Sequence, residues 1–132
     1  MYEVRPVGIV RSQLNDAGAA PRQGDEGAPD AVVEVEEWAL PALDGVAAGE
    51  DVLLLTWLDR ADREVLRVHP RGDTGRPIAG VFATRSPHRP NPIGLHRVRV
   101  LDVWGGRLHV GDLEALDGTP VLDIKPVLGD ER

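Results

Sequence analysis

Apolar positions along this chain recur mainly every second residue, and rarely at the three-to-four spacing of a helix. Ala31 to Glu36 alternates and is rich in valine, which predicts a strand. Asp51 to Trp57 is a continuous apolar run, the pattern of a strand covered on both faces, and is expected to be the most buried element. Leu95 to Trp104 is the longest alternating stretch, with Val98 and Val100 on one face and Arg97 and Arg99 on the other. Gly105 and Gly106 mark a hairpin, and Arg107 to Leu113 is the returning strand. Val4 to Val10 predicts a first strand softened by Pro6 and Gly8. Arg63 to His69 predicts another, Gly80 to Ala83 a short buried one, and Val121 to Ile124 the last. Turns are expected at Arg71 to Gly75 and at Asp117 to Pro120. Trp38 to Val46, broken by Pro41 and Gly45, holds at most one helical turn, and Asn15 to Pro29 is a long loop. Seven or eight short strands without a long helix imply an all-β sandwich or barrel. No repeat or linker interrupts the pattern, so residues 1–132 are expected to form a single domain, with 127–132 a loose tail.

The least regular stretch is the richest chemically. Gly80 to Gly94 (GVFATRSPHRPNPIG) holds two arginines, a histidine, an asparagine and three prolines. Pro87, Pro90 and Pro92 fix φ, remove backbone donors and push Ser86, Arg89 and Asn91 toward extended geometry. The segment is therefore a stiff loop that loses little entropy on binding. Arg85, Ser86, His88, Arg89 and Asn91 are the polar groups it would hold in place. An ordinary turn with solvated arginines is the competing interpretation.

Composition narrows the classes. The chain has 132 residues and 42% hydrophobic content, enough for one packed core and too much for a disordered chain. It has no cysteine, which excludes disulfides and thiolate metal sites. Neither a membrane-length apolar run nor a signal-peptide core is visible, which makes the cytoplasm the expected location. The formal charge is −7, which argues against a general nucleic-acid coat. The charge is unevenly spread, however: from Arg60 to Arg107 ten arginines face four acids. A basic centre within acidic flanks suits an anionic ligand or a local phosphate contact. Four scattered histidines, with His69, His96 and His109 on or beside strands, form no metal-ligand spacing, so no metal is expected.

Several strings then resemble a known family. FATRSPHRPNPIGL (Phe82 to Leu95), LDGTPVLDIKP (Leu116 to Pro126), VGIVRS (Val7 to Ser12) and PRQ (Pro21 to Gln23) occur in the order seen in the TsaA-like, or TrmO, family. The resemblance covers nearly the whole chain. It implies a single-domain, mostly antiparallel β-barrel with few or no long helices, assembled as a homodimer with the cofactor near the subunit interface. It also implies an S-adenosylmethionine-dependent methyltransferase that modifies the N6 position of threonylcarbamoyladenosine in tRNA.

The same resemblance carries roles onto particular positions. Pro21, Arg22 and Gln23 would close over S-adenosylmethionine from the first long loop. Arg85 would reach its carboxylate or ribose, because the guanidinium fork can donate two parallel bonds. Leu95 would pack near the adenine or the methionine chain. Gly111, Asp112, Leu113 and Glu114 would meet the adenine edge and the ribose hydroxyls, on a turn shaped by Asp117, Gly118 and Thr119. Leu58 and Asp59 stand where many members have a His-Gln-like pair, and are assigned to the cofactor by position. Arg89 and Asn91 would face the substrate. Longer bacterial members also carry a C-terminal extension beyond the region matched here.

The chemistry expected of such a site is modest: proximity, in-line geometry and removal of one proton from a weakly nucleophilic nitrogen. His88 and Asp123 are the candidate catalytic groups, although Asp123 could equally pair with Lys125 or Arg89 as surface charge. Two other readings stay open at this point, methylation of a small molecule and a non-catalytic barrel that binds S-adenosylmethionine or a nucleotide.

Overall fold

Alternation becomes strand in a computed structural model, which describes residues 1–15 and 27–129 of the chain. The strands are β1 (Gly8–Arg11), β2 (Ala31–Val35), β3 (Asp51–Trp57), β4 (Arg67–Val68), β5 (Ala79–Gly80), β6 (Ile93–Trp104), β7 (Arg107–Val110) and β8 (Pro120–Pro126). Six of them close into an antiparallel barrel in the order β1-β2-β7-β6-β3-β8, while β4 and β5 pair separately. The all-β barrel expected from the sequence is the fold observed. Short 3₁₀ turns at Glu37–Leu43, Pro70–Gly72 and Val81–Ala83 are the helical elements among the described residues.

The barrel interior is filled by the inward-facing residues of its strands. Val10, Val33, Leu54, Leu108, Leu113 and Val121 have no exposed surface. Burying one such side chain is worth about 1.5–3 kcal/mol, so this cluster dominates the stability of the barrel. On β6 the parity is clean: Gly94, His96, Val98 and Val100 are buried, and Ile93, Leu95, Arg97 and Arg99 are exposed. Register shifts on β6 beside Leu101 and on β8 beside Leu122 let the strands bend round the closed sheet. Closure at β1 needs a glycine, because a Cβ on Gly8 would stand 2.6 Å from the Glu34 carbonyl oxygen.

Outside the barrel wall, Asp51 at the start of β3 is clamped by two guanidinium groups of β6. Arg97 donates from Nη2 to Oδ2 at 2.9 Å and Arg99 from Nε to Oδ1 at 3.0 Å. The hydrogen bond from Arg99, then that from Arg97, holds the Asp51 carboxyl below its ordinary value.

Four expected elements are corrected. The segment expected to hold at most one helical turn within Trp38 to Val46 carries a seven-residue 3₁₀ helix, Glu37–Leu43, with Pro41 inside it. The first strand starts at Gly8 rather than Val4, with pairing from Val7, past Pro6, and Arg5 instead lies 4.0 Å over the Trp38 ring. The strand expected over Arg63 to His69 shrinks to Arg67–Val68, because the Asp62 carboxylate accepts the Glu64 amide at 2.9 Å and turns the chain. Gly80 to Ala83 is not a buried strand: Val81–Ala83 is a 3₁₀ turn, with Val81 buried and Phe82 85% exposed.

The chain divides into two compact units, one formed by Met1–Trp57 with Leu95–Arg132 and the other by Leu58–Gly94. The first carries the barrel and the second carries β4, β5 and the proline loop.

Candidate functional site

Within the unit formed by residues 58–94, a chain of side-chain-to-backbone bonds fixes the proline loop. The Thr84 hydroxyl donates to the Val81 carbonyl at 2.9 Å and accepts the Ser86 amide at 3.2 Å. The Ser86 hydroxyl in turn accepts the His88 amide at 3.2 Å. Arg89 then gathers three carbonyls: Nη1 donates to Thr84 and Ser86, and Nη2 to Val81 at 2.7 Å. Proline has removed backbone donors from this stretch; the Val81 carbonyl still accepts the Thr84 amide at 3.0 Å, and the guanidinium adds protons to it and to the Thr84 and Ser86 carbonyls.

A second brace comes from the preceding segment. Arg63 donates from Nε to the Pro90 carbonyl at 2.7 Å and from Nη2 to the Asn91 Oδ1 at 3.1 Å. The Asp62 amide donates to His88 Nδ1 at 2.9 Å, which makes Nδ1 an acceptor and leaves the ring proton on Nε2. The Leu58 amide donates to the Pro92 carbonyl at 2.8 Å, and Asp59 beside it is exposed.

Against this background Arg85 stands apart. Its residue is exposed, and among the described residues its guanidinium makes no hydrogen bond or ion pair. Two arginines four positions apart thus have different employments. Arg89 holds the loop together, and Arg85 is presented by it. His88 and Asn91 are tied into the same network, with Nε2 of His88 and the amide nitrogen of Asn91 outside the bonds just described.

The second group of candidate residues lies in the barrel unit, where β7 ends. The Gly111 amide donates to the Arg99 carbonyl at 3.0 Å, and the Leu113 amide to the Pro29 carbonyl at 3.0 Å. Between them Asp112 takes a left-handed backbone with φ of 52°, a conformation costly for a residue other than glycine. Its amide faces the Asp30 carboxylate at 3.3 Å. Leu113 is sealed in the core, and Glu114 turns its carboxylate inward to His96. The adjoining turn is tied to β1: the Asp117 carboxylate accepts the Ser12 amide at 3.0 Å, and the Gly118 amide donates to the Val10 carbonyl.

The remaining candidates are dispersed. Leu95 points outward from β6. Asp123, on β8, accepts the Ile124 amide on Oδ1 and pairs through Oδ2 with Lys125 at 3.3 Å, with half of its side chain exposed. Pro21, Arg22 and Gln23 lie outside the described residues. No group of three or more metal-ligating side chains is gathered among the described residues.

A buried polar chain that sequence reasoning passed over completes the barrel unit. His96 is 6% exposed; its Nε2 lies 2.7 Å from the Thr56 hydroxyl and its Nδ1 2.5 Å from Glu114 Oε1. The signal was available in the alternation: His96 shares parity with Val98 and Val100, and so had to face the interior.

A closed antiparallel barrel in one unit and a braced proline loop with two arginines in the other define the class, and comparison with known proteins makes it specific. Residues 9–130 match the model described as the tRNA-methyltransferase O N-terminal domain. This chain belongs to that TrmO family. It is 45% identical over 127 residues to a protein of Methanothermobacter thermautotrophicus named "Probable S-adenosyl-L-methionine-binding protein", covering 96% of this chain and 90% of the other. It is 46% identical over 128 residues to an S-adenosyl-L-methionine-binding protein of Archaeoglobus fulgidus, covering 92% and 86%. A crystal structure of TrmO from Pseudomonas aeruginosa superposes with a TM-score of 0.71 at 34% identity, over all of this chain and 61% of that one. Another TrmO crystal structure gives 0.77 at 36% identity, over all of this chain and 62% of that one. The chain therefore spans about three fifths of the crystallised TrmO chains, and most of the length of the two archaeal relatives just described.

Proposed function

We propose that this protein binds S-adenosylmethionine and transfers its methyl group to N6 of threonylcarbamoyladenosine in tRNA. The observation that carries the reading is the family match over residues 9–130. Each unit offers groups suited to a part of the ligand. Arg85 offers an exposed guanidinium, without a partner among the described residues, to a carboxylate, and Glu114 offers a carboxylate to ribose hydroxyls. Gly111, Asp112 and Leu113 supply backbone groups beside it, Leu95 an apolar contact, and Leu58 and Asp59 flank the loop. Pro21, Arg22 and Gln23 are assigned to closure over the ligand.

S-adenosylmethionine, when bound, supplies an already activated methyl group. The chain's own residues have three tasks: to bind, to orient and to handle one proton. With Nδ1 occupied by the Asp62 amide, His88 presents an Nε2 proton and is suited to polarise an acceptor carbonyl. Asp123 is the carboxylate assigned to proton removal. Arg89 supports the substrate face through the loop it holds, and Asn91 faces the acceptor. The excess of arginine between Arg60 and Arg107 provides for tRNA phosphates. Leu66, Ile78 and Phe82, large and exposed in the 58–94 unit, offer apolar surface to a second copy in a homodimer.

A second reading is favoured by the names of the archaeal relatives of similar length, which speak of binding alone. It makes the chain a binding barrel without transferase activity. Methyl transfer to tRNA that carries the threonylcarbamoyl group, compared with tRNA lacking it, separates the two. The enzyme reading expects transfer only to the first; transfer to neither, with the ligand bound, removes tRNA as the acceptor and leaves the binding module or a small-molecule acceptor. Binding of that tRNA should also weaken steeply between low and moderate salt, and a flat response would remove the phosphate contacts.

A further inference from the structure

We infer that His96, backed by Thr56, is a positioning residue that fixes the Glu114 carboxylate for recognition of the adenosyl ribose. This rests on the S-adenosylmethionine reading above and deepens it.

Both ring nitrogens of His96 are engaged, Nε2 with the Thr56 hydroxyl at 2.7 Å and Nδ1 with Glu114 Oε1 at 2.5 Å. Thr56 has no exposed surface and His96 is 6% exposed, so the ring cannot rotate without losing a bond in a place water does not reach. The Glu114 side chain is 14% exposed, and its bond to His96 is its only hydrogen bond or ion pair among the described residues. No described side-chain oxygen is sealed from solvent without a partner, so Oε2 keeps contact with solvent. The carboxylate is thus held by one oxygen and presented by the other.

The backbone that carries it is equally constrained. Gly111 and Leu113 donate to the Arg99 and Pro29 carbonyls, Leu113 is fully buried, and Asp112 between them is held in a left-handed conformation. A histidine and a carboxylate placed beside an apolar core cost more desolvation than a hydrophobic pair of equal volume would. A half-satisfied, pre-aimed carboxylate is what a vicinal diol needs, since its hydroxyls can donate to an oxygen whose orientation is already fixed.

The test uses the whole chain and calorimetric titration with S-adenosylmethionine. Asparagine places its amide nitrogen near the site of the imidazole Nδ1, and glutamine places its own near Nε2. His96→Asn therefore keeps the donor to Glu114, and His96→Gln keeps only the contact to Thr56. Affinity should fall about tenfold in Glu114→Gln and in His96→Gln, and stay within about threefold of wild type in His96→Asn. The double variant carrying both glutamines should bind no more than about twofold more weakly than Glu114→Gln alone, because His96 acts through Glu114. Melting curves establish that each variant is folded. Equal affinities for folded His96→Asn and His96→Gln, or additive losses in the double variant, would overturn the positioning role while leaving ligand binding intact. A wild-type chain that does not bind S-adenosylmethionine would remove both this inference and the reading beneath it.

Discussion

The barrel and the 58–94 unit achieve order by opposite means. Among the described residues, the buried apolar cluster lies in the barrel unit, from Val10 and Val33 through Leu54 to Val121. The 58–94 unit buries Val81 and Pro92 but exposes Leu66, Ile78 and Phe82. What orders it is a set of side-chain-to-carbonyl bonds, chiefly from Arg89 and Arg63. Apolar burial is non-directional and leaves a sheet free to be built from many sequences. Guanidinium-to-carbonyl bonds are directional and fix a backbone that prolines have stripped of donors. A segment built in the second way can present polar groups at defined positions without needing a core of its own, which suits a binding loop.

That contrast can be broken at several points. The largest effect is expected from the barrel: Leu108→Ala should cost about 2–5 kcal/mol in denaturant unfolding, since it leaves a cavity in a sealed core. A loss below 1 kcal/mol would mean that the barrel does not depend on its apolar cluster. Next comes Arg89→Ala, which removes three bonds from the proline loop. Amides between residues 81 and 91 should lose about 2 kcal/mol of protection in hydrogen exchange, while those of β2 and β7 keep theirs. Uniform loss across the chain would erase the distinction between the two units.

The smallest effect concerns Asp51. Its carboxyl is held below the usual value by Arg99 and Arg97, so its contribution to stability is present above the unfolded pKa and is lost as pH falls through the folded one. Both arginines are well exposed, and solvent screening limits the contribution to about 0.5 kcal/mol. The stability difference between wild type and Asp51→Asn should therefore be flat from neutral pH down to about pH 4 and shrink below it. A difference that grows on acidification would contradict the clamp.

The two regions also differed in how much of them could be read from residues alone. β3 was expected over Asp51 to Trp57 and lies there, because a continuous apolar run has one way to be buried. On β6 parity assigned Val98 and Val100 inward and Arg97 and Arg99 outward, as observed. In the 58–94 unit the stiffness of the proline loop was legible and its internal wiring was not. The short apolar run at Gly80 to Ala83 reads as a buried strand, but the Val81 carbonyl is taken by the Thr84 amide and hydroxyl and by Arg89, eight residues on. Pattern rules contain no term for such bonds. Arg85 and Arg89 were likewise indistinguishable by residue type, and only the three-dimensional path of the chain separates builder from presenter. His96 stands on a strand at no metal-ligand spacing, and that reading stops short of its parity. Applying to a polar residue the parity already used for its neighbours would have put it inside the barrel.

The central claim is that Arg89 holds the loop so that Arg85 can meet a carboxylate-bearing ligand. Calorimetric titration of Arg85→Ala with S-adenosylmethionine, beside its melting temperature, tests this most directly. The account predicts a melting temperature equal to wild type and a dissociation constant raised at least tenfold, or about 1.4 kcal/mol. An unchanged dissociation constant in a folded variant would contradict it.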